Sequence, residues 1–94
     1  MHIPKKVKIG PYEYIVKDLN GDEQSDFLGR HCLVDKEIRI KKDMGNPERE
    51  IVYLHEVLHA LDEAYCGKSL EEEQIHSLSY ALYDWLTKNK IFDG

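Results

Sequence analysis

The chain is organised around residues 46–66, which read NPEREIVYLHEVLHALDEAYC. Apolar residues recur in this segment at helical spacing. Asn46 and Pro47 suit the N-cap and the first position of a helix, and Gly67 is a natural stop. The segment is therefore predicted to form one long amphipathic helix whose apolar stripe packs on the rest of the chain.

Within this helix, residues 55–59 read His-Glu-Val-Leu-His, which is an HExxH motif. Residues four apart lie on one face of a helix, so His55 and His59 can present two imidazole nitrogens to one metal ion. Glu56 is offset around the helix, where its carboxylate can serve as a base for water at that ion. Both histidines border the apolar stripe and are expected to be half buried. The motif predicts a zinc peptidase site with Glu56 as the general base.

A catalytic zinc site usually has three protein ligands and one open position. The third histidine of the longer HExxHxxGxxH pattern is absent from this chain. The remaining donors are the consecutive glutamates at 71–73, which open a second predicted helix that a short turn returns against the first. Glu72 is favoured because it lies towards the core face, and Glu73 is the alternative. A capping box between Ser69 and Glu72 would compete with this role.

Other side chains could support the site. Asp62 falls on the same face as the two histidines and could accept the N–H of a metal-bound imidazole, or it could form a salt bridge at the surface. Tyr83 and Tyr80 on the second helix could donate a hydrogen bond to an oxyanion, although tyrosines at this spacing more often belong to a half-buried core. His76 lies one turn after the favoured glutamate and is interpreted as a surface residue.

The remaining sequence predicts an α+β domain that consists of a small antiparallel sheet of about four short strands followed by two packed helices. Gly10-Pro11 predicts a turn between the first two strands. The charged side chains of the last strand are typical of an exposed sheet edge, so this strand is predicted to lie at the edge of the sheet. The predicted strands are Lys5–Ile9, Tyr12–Lys17, Phe27–Val34 and Lys36–Lys42, and the second helix runs from about Leu70 to Asn89.

Length and composition restrict the functional class. Ninety-four residues with 41% hydrophobic and 10% aromatic residues predict one globular domain. The net charge of -5 argues against nucleic acid and anionic membranes as partners. No apolar run approaches the ~20 residues of a membrane span, and the first residues do not form a secretory signal. A cytoplasmic location is expected, with Cys32 and Cys66 as buried free thiols.

Three segments together resemble small zincin-like metallopeptidases of phages and prophages. They are residues 54–62 (LHEVLHALD), 71–75 (EEEQI) and 81–86 (ALYDWL). These proteins look like distant relatives of the metallo-endopeptidases that cleave phage repressors and radiation-response regulators. Leu28-Gly29 and Ile38-Arg39-Ile40 also resemble the strand pair that leads into the active-site helix of this group. The resemblance covers about two-thirds of the chain, and HExxH with a downstream glutamate is typical of a gluzincin-type site.

The resemblance implies a minimal zincin-like metallopeptidase domain over residues 1–94, with a glutamate of the second helix as the third zinc ligand. The expected function is zinc-dependent hydrolysis of peptide bonds in an intracellular protein substrate, inside a bacterial host cell if the chain is of phage origin. The substrate is expected to extend the sheet along the Lys36–Lys42 edge. The alternative is a non-catalytic binding or regulatory module of phage or prophage origin, because zinc can stabilise a small core.

Overall fold

The computed structural model describes residues 2–19, 29–32, 36–42 and 44–91. The predicted α+β class is confirmed, with the strands preceding both helices. Residues 27, 28, 33 and 34 of the predicted third strand lie outside the described part. The elements are β1 (Lys6–Ile9), β2 (Tyr12–Leu19), β3 (Gly29–Cys32), β4 (Glu37–Lys41), α1 (Asn46–Tyr65) and α2 (Glu72–Lys88).

The sheet is mixed, with the strand order β1-β2-β4-β3. The β1–β2 and β3–β4 pairs are antiparallel, but β2 and β4 run parallel, so the prediction of an antiparallel sheet is wrong at its centre. In the described strands β2 pairs with β4 rather than with β3, which follows it in the sequence. Strand β4 lies between β2 and β3, where its Ile38 and Ile40 are both 0% exposed.

The predicted exposed edge at Lys36–Lys42 is also wrong, because β4 pairs with strands on both sides. In the described ranges the edges are β1 and β3, and β3 lies against α1. The charged side chains of β4 instead form ion pairs, one with β2 and one along β4 itself. The Glu37 carboxylate lies 2.8 Å from Lys17 Nζ and 2.7 Å from Arg39 Nη2. Hydrogen bonds from these two cations lower the pKa of Glu37.

One face of the sheet packs on α1, and α2 packs on α1 in turn. Gly10 fits this packing closely: its φ of +58° suits the β1–β2 turn, and a Cβ there would lie 3.1 Å from the Cβ of Ala64 on α1. The predicted turn at Gly10-Pro11 is confirmed. The core cluster of buried hydrophobic residues consists of Ile9, Tyr14, Ile38, Ile40, Tyr53, Leu54, Ala60 and Leu86.

Both helix starts differ from the prediction by a small shift. The N-cap of α1 is Gly45 rather than Asn46. The capping box of α2 joins Glu71 and Gln74, with the Glu71 N–H 2.8 Å from Gln74 Oε1, so the predicted Ser69–Glu72 box is wrong. This shift leaves the carboxylate of Glu72 available for other contacts.

Two further predictions concern the burial of the cysteines and the absence of a membrane span. Cys66 follows α1 as a free thiol, but it is exposed, so its predicted burial is wrong. The side chain of Cys32 lies outside the described part. Across the described ranges, neither helix combines the length and the apolar character required to cross a membrane.

Two isoleucines on paired strands test the sheet arrangement. Ile38→Ala should lower the free energy of unfolding by about 2–5 kcal/mol, because it opens a cavity under α1. Ile15→Ala is the matched control, because Ile15 is 44% exposed on the neighbouring strand and should cost about 1 kcal/mol or less. Urea unfolding of both variants measures the difference. Equal losses would contradict a central, buried β4.

Candidate metal centre

A tight turn reverses the chain between α1 and α2. Gly67 and Lys68 both adopt a φ of +61°. The carbonyl oxygen of Asp62 accepts the N–H groups of Cys66 at 2.9 Å and of Lys68 at 3.2 Å. The side chain of Asp62 is buried and accepts the N–H of Leu70 at 3.3 Å. Asp62 therefore fixes both the last turn of α1 and the point from which α2 begins.

This turn brings Glu72 against the two histidines of the motif. Glu72 Oε1 lies 2.7 Å from His55 Nε2, and Glu72 Oε2 lies 2.9 Å from His59 Nε2. The two Nε2 atoms are 3.1 Å apart. These residues form a group whose donor atoms all lie within 4.8 Å of one another, and we call it the His–His–Glu cluster.

The spacing in the His–His–Glu cluster is close to that of a metal site. With bonds of about 2.0–2.1 Å, donors around a tetrahedral zinc ion are separated by about 3.3 Å. The observed separations of 2.7, 2.9 and 3.1 Å are slightly shorter. Each donor would therefore have to move outward by a few tenths of an ångström, and the exposed side chain of Glu72 has the freedom to do so. Two imidazoles and one carboxylate are a donor set that suits zinc.

Burial is graded across the cluster. The side chains of His55 and His59 are 18% and 25% exposed, as expected for residues at the edge of the core, whereas that of Glu72 is 66% exposed. Glu56, the predicted base, is 7% exposed and follows His55 about 100° around the helix. The cluster thus has a wall of packed helix on one side and solvent on the side of Glu72, where a small molecule can approach.

The other predicted ligand and support residues lie elsewhere. Glu73 is exposed and belongs to none of the possible metal-holding groups in the described part of the chain. Asp62 is buried rather than at the surface, and its side chain accepts the Leu70 N–H. Its support of a metal-bound imidazole stays a prediction.

Tyr83 lies half buried on α2, and its side chain contacts the first turns of α1. Burial raises the pKa of Tyr83, and the negative charge of Glu50, to which its hydroxyl is hydrogen-bonded, raises it further, with a contribution from Glu48. Glu50 precedes His55 by five residues, or about 7.5 Å along the helix axis. The hydroxyl of Tyr83 is therefore engaged about one and a half turns from His55. Its predicted oxyanion role stays a prediction.

His76 lies near the cluster, a position that its interpretation as a surface residue did not predict. It is exposed, as predicted, but its ring centroid lies 6.1 Å from that of His55. On its other side it contacts the ring of Tyr80, at 5.0 Å between centroids. The signal was present in the sequence, because His76 follows Glu72 by four residues and so shares its face of α2.

In comparisons with protein families, curated proteins and solved structures, no match was found for this chain. The resemblance to zincin-like metallopeptidases therefore rests on the residues quoted for it.

Removing the side chain of Asp62 tests how the turn holds the cluster. Asp62→Ala should lower the free energy of unfolding by about 1–3 kcal/mol, because a partly buried N–H of the turn loses its acceptor. It should also weaken zinc binding, since Glu72 would be held less firmly. Urea unfolding and zinc titration measure both effects.

The control for this variant is Asp84→Ala. Asp84 is 61% exposed and pairs with Lys88 at 3.1 Å, an interaction worth about 0.5 kcal/mol or less. The control should match the wild type in zinc binding. Wild-type stability and zinc affinity in Asp62→Ala would show that the turn does not depend on this carboxylate.

Proposed function

We propose that this protein is a zinc-dependent metalloprotease that hydrolyses a peptide bond of a protein substrate in the cytoplasm. The observation that carries the proposal is the convergence of His55, His59 and Glu72, with Glu56 adjacent to the first of them. The proposed fold family is a minimal zincin-like metallopeptidase, similar to those of phages and prophages.

The donor set supports zinc binding at this place. His55 and His59 would bind through Nε2, because these are the atoms that face each other and the Glu72 carboxylate. Both histidines are held by one rigid helix, which limits the entropy lost when they bind a metal ion. Glu72 supplies the negative charge and leaves the solvent side of the site open. A site with three protein ligands and an open position is that of a catalytic rather than a structural zinc.

The roles of the chain's own residues follow from their placement. When bound, zinc activates water and polarises the carbonyl group of a scissile peptide bond. Glu56 accepts the proton of the attacking water molecule and delivers it to the leaving amine. Its low exposure of 7% keeps bulk water from competing for the carboxylate. His55 and His59, packed at the edge of the core, keep the ligand atoms in place during the reaction.

Metal content tests the ligand assignment. Elemental analysis of the purified chain should give one zinc ion per chain, and both His55→Ala and Glu72→Ala should retain much less. Glu73→Ala is the matched control, because it removes the neighbouring exposed carboxylate and should retain zinc. A wild-type chain that takes up no zinc would end the metalloprotease proposal. Zinc lost in Glu73→Ala but kept in Glu72→Ala would reverse the assignment.

Catalysis is tested by comparing zinc-loaded wild type with Glu56→Gln. This nearly isosteric change keeps the fold and the ligands but removes the base, which should slow hydrolysis about 10²–10⁴-fold. Each protein is incubated with a bacterial lysate, and newly formed peptide N-termini are enriched and identified by mass spectrometry. We expect new N-termini with the wild type and none with the variant. Identical sets would favour a non-catalytic protein.

A zinc-stabilised binding module is the second candidate function. The observation that favours it is an exposed apolar row on α2, in which Leu78 is 45% exposed and Trp85, two turns later, is 56% exposed. A protein partner could cover such a row without any reaction at the zinc site. The Glu56→Gln comparison distinguishes the two functions, because a binding module does not require this carboxylate.

A further inference from the structure

His76 lies within reach of the His–His–Glu cluster without belonging to it. It follows Glu72 by one helical turn, so both side chains project from the same face of α2 towards α1. The ring of His76 stands between two others. One is His55, with centroids 6.1 Å apart and planes at 72°, and the other is Tyr80, at 5.0 Å and 59°.

Ring separations indicate how far His76 is from a ligating position. Two imidazoles that bind one tetrahedral zinc ion through ring nitrogens have centroids about 5 Å apart. His55 and His59 already meet this requirement, with a separation of 4.8 Å. The His55–His76 separation of 6.1 Å is about 1 Å longer. A rotation about the side-chain bonds of an exposed histidine covers this distance without any change in the backbone.

We propose that His76 is a fourth, exchangeable zinc ligand that occupies the open position of the site until a substrate or inhibitor displaces it. This inference rests on the proposed zinc site. With His76 bound, all four positions are held by protein donors, which is the closed arrangement of a structural site. With His76 resting against Tyr80, one position is open. The contact with Tyr80 gives the displaced imidazole a defined place on α2.

The fourth ligand has two consequences for the site. It strengthens zinc binding in a domain that has only a small core to hold its ligands in place. It also keeps water away from the open position until a bound substrate or inhibitor displaces the ring, and only then can water enter, which limits unspecific hydrolysis. Loss of His76 should therefore weaken zinc binding at least about tenfold, since even partners outside the ligand set contribute this much to metal affinity.

The experiment counts zinc-bound imidazoles in the full chain loaded with one equivalent of zinc. Long-range ¹H–¹⁵N NMR spectra distinguish ring nitrogens that bind a metal from those that do not. We expect three bound imidazoles in the wild type, from His55, His59 and His76, and two in His76→Ala. The matched control is His2→Ala, which removes another exposed imidazole and should retain three. Far-UV circular dichroism checks that the fold is kept.

Acetohydroxamate, a zinc-chelating probe, tests whether the ligand exchanges. An excess of this probe should return the His76 ring to the unbound state while His55 and His59 stay bound. Competition with a chromophoric chelator should show at least about tenfold weaker zinc binding in His76→Ala and no change in His2→Ala.

The outcomes separate this inference from the proposed function. Two bound imidazoles in the wild type would overturn the role of His76 and leave the zinc site intact. Three that persist with acetohydroxamate bound would make His76 a permanent ligand, which overturns the exchange and favours the non-catalytic alternative. Zinc that perturbs none of the imidazoles would remove the metal site, and this inference with it.

Discussion

The return of the chain from α1 to α2 is the constraint on which the candidate metal site depends. Local helix geometry brings His55 and His59 together, but Glu72 reaches them only if the turn after α1 has one length and one register. The buried carboxylate of Asp62 contributes to that register by accepting the Leu70 N–H, while its carbonyl accepts two further N–H groups of the turn. A shift of α2 by one residue would rotate Glu72 by about 100° and separate it from the imidazoles.

Helix α1 packs against both the sheet and α2, and it also carries two residues of the His–His–Glu cluster. Its buried residues pack on the sheet and on α2, and its histidines occupy the border between these surfaces and solvent. Interiors packed in this way resist displacement, so the backbone positions of both histidines are fixed, and their Nε2 atoms lie 3.1 Å apart. Two more exposed side chains, Glu72 of the cluster and the nearby His76, project from α2, which makes this helix the adaptable side of the site. Rigid and adaptable donors on opposite helices would suit the proposed zinc site, which has to retain an ion and admit a ligand.

Sequence patterns predicted the elements more reliably than their arrangement. Alternation placed Ile38 and Ile40 on the buried side of β4, and helical spacing placed both helices within two residues of their observed bounds. The order of the strands was missed, because the pairing of β2 with β4 joins segments about 20 residues apart and has no local signal in the sequence. The capping of α2 was also missed. Residues 69–74 contain two possible capping boxes, Ser69–Glu72 and Glu71–Gln74, and the structure forms the second.

The sequence by itself determined the pairing of His55 with His59 and the position of Glu56 beside them, because neighbours on one helix turn are set by the 3.6-residue repeat alone. It also determined the α+β class, since periods of two and 3.6 residues follow from local backbone geometry. Only the tertiary structure decided that Glu72 rather than Glu73 faces the histidines, that His76 stands next to them, and that β4 is central. These features depend on contacts between different elements, whose register is set by turn geometry and packing. Helical spacing shows that Glu72 and His76 share a face of α2, but not which residues of α1 that face meets.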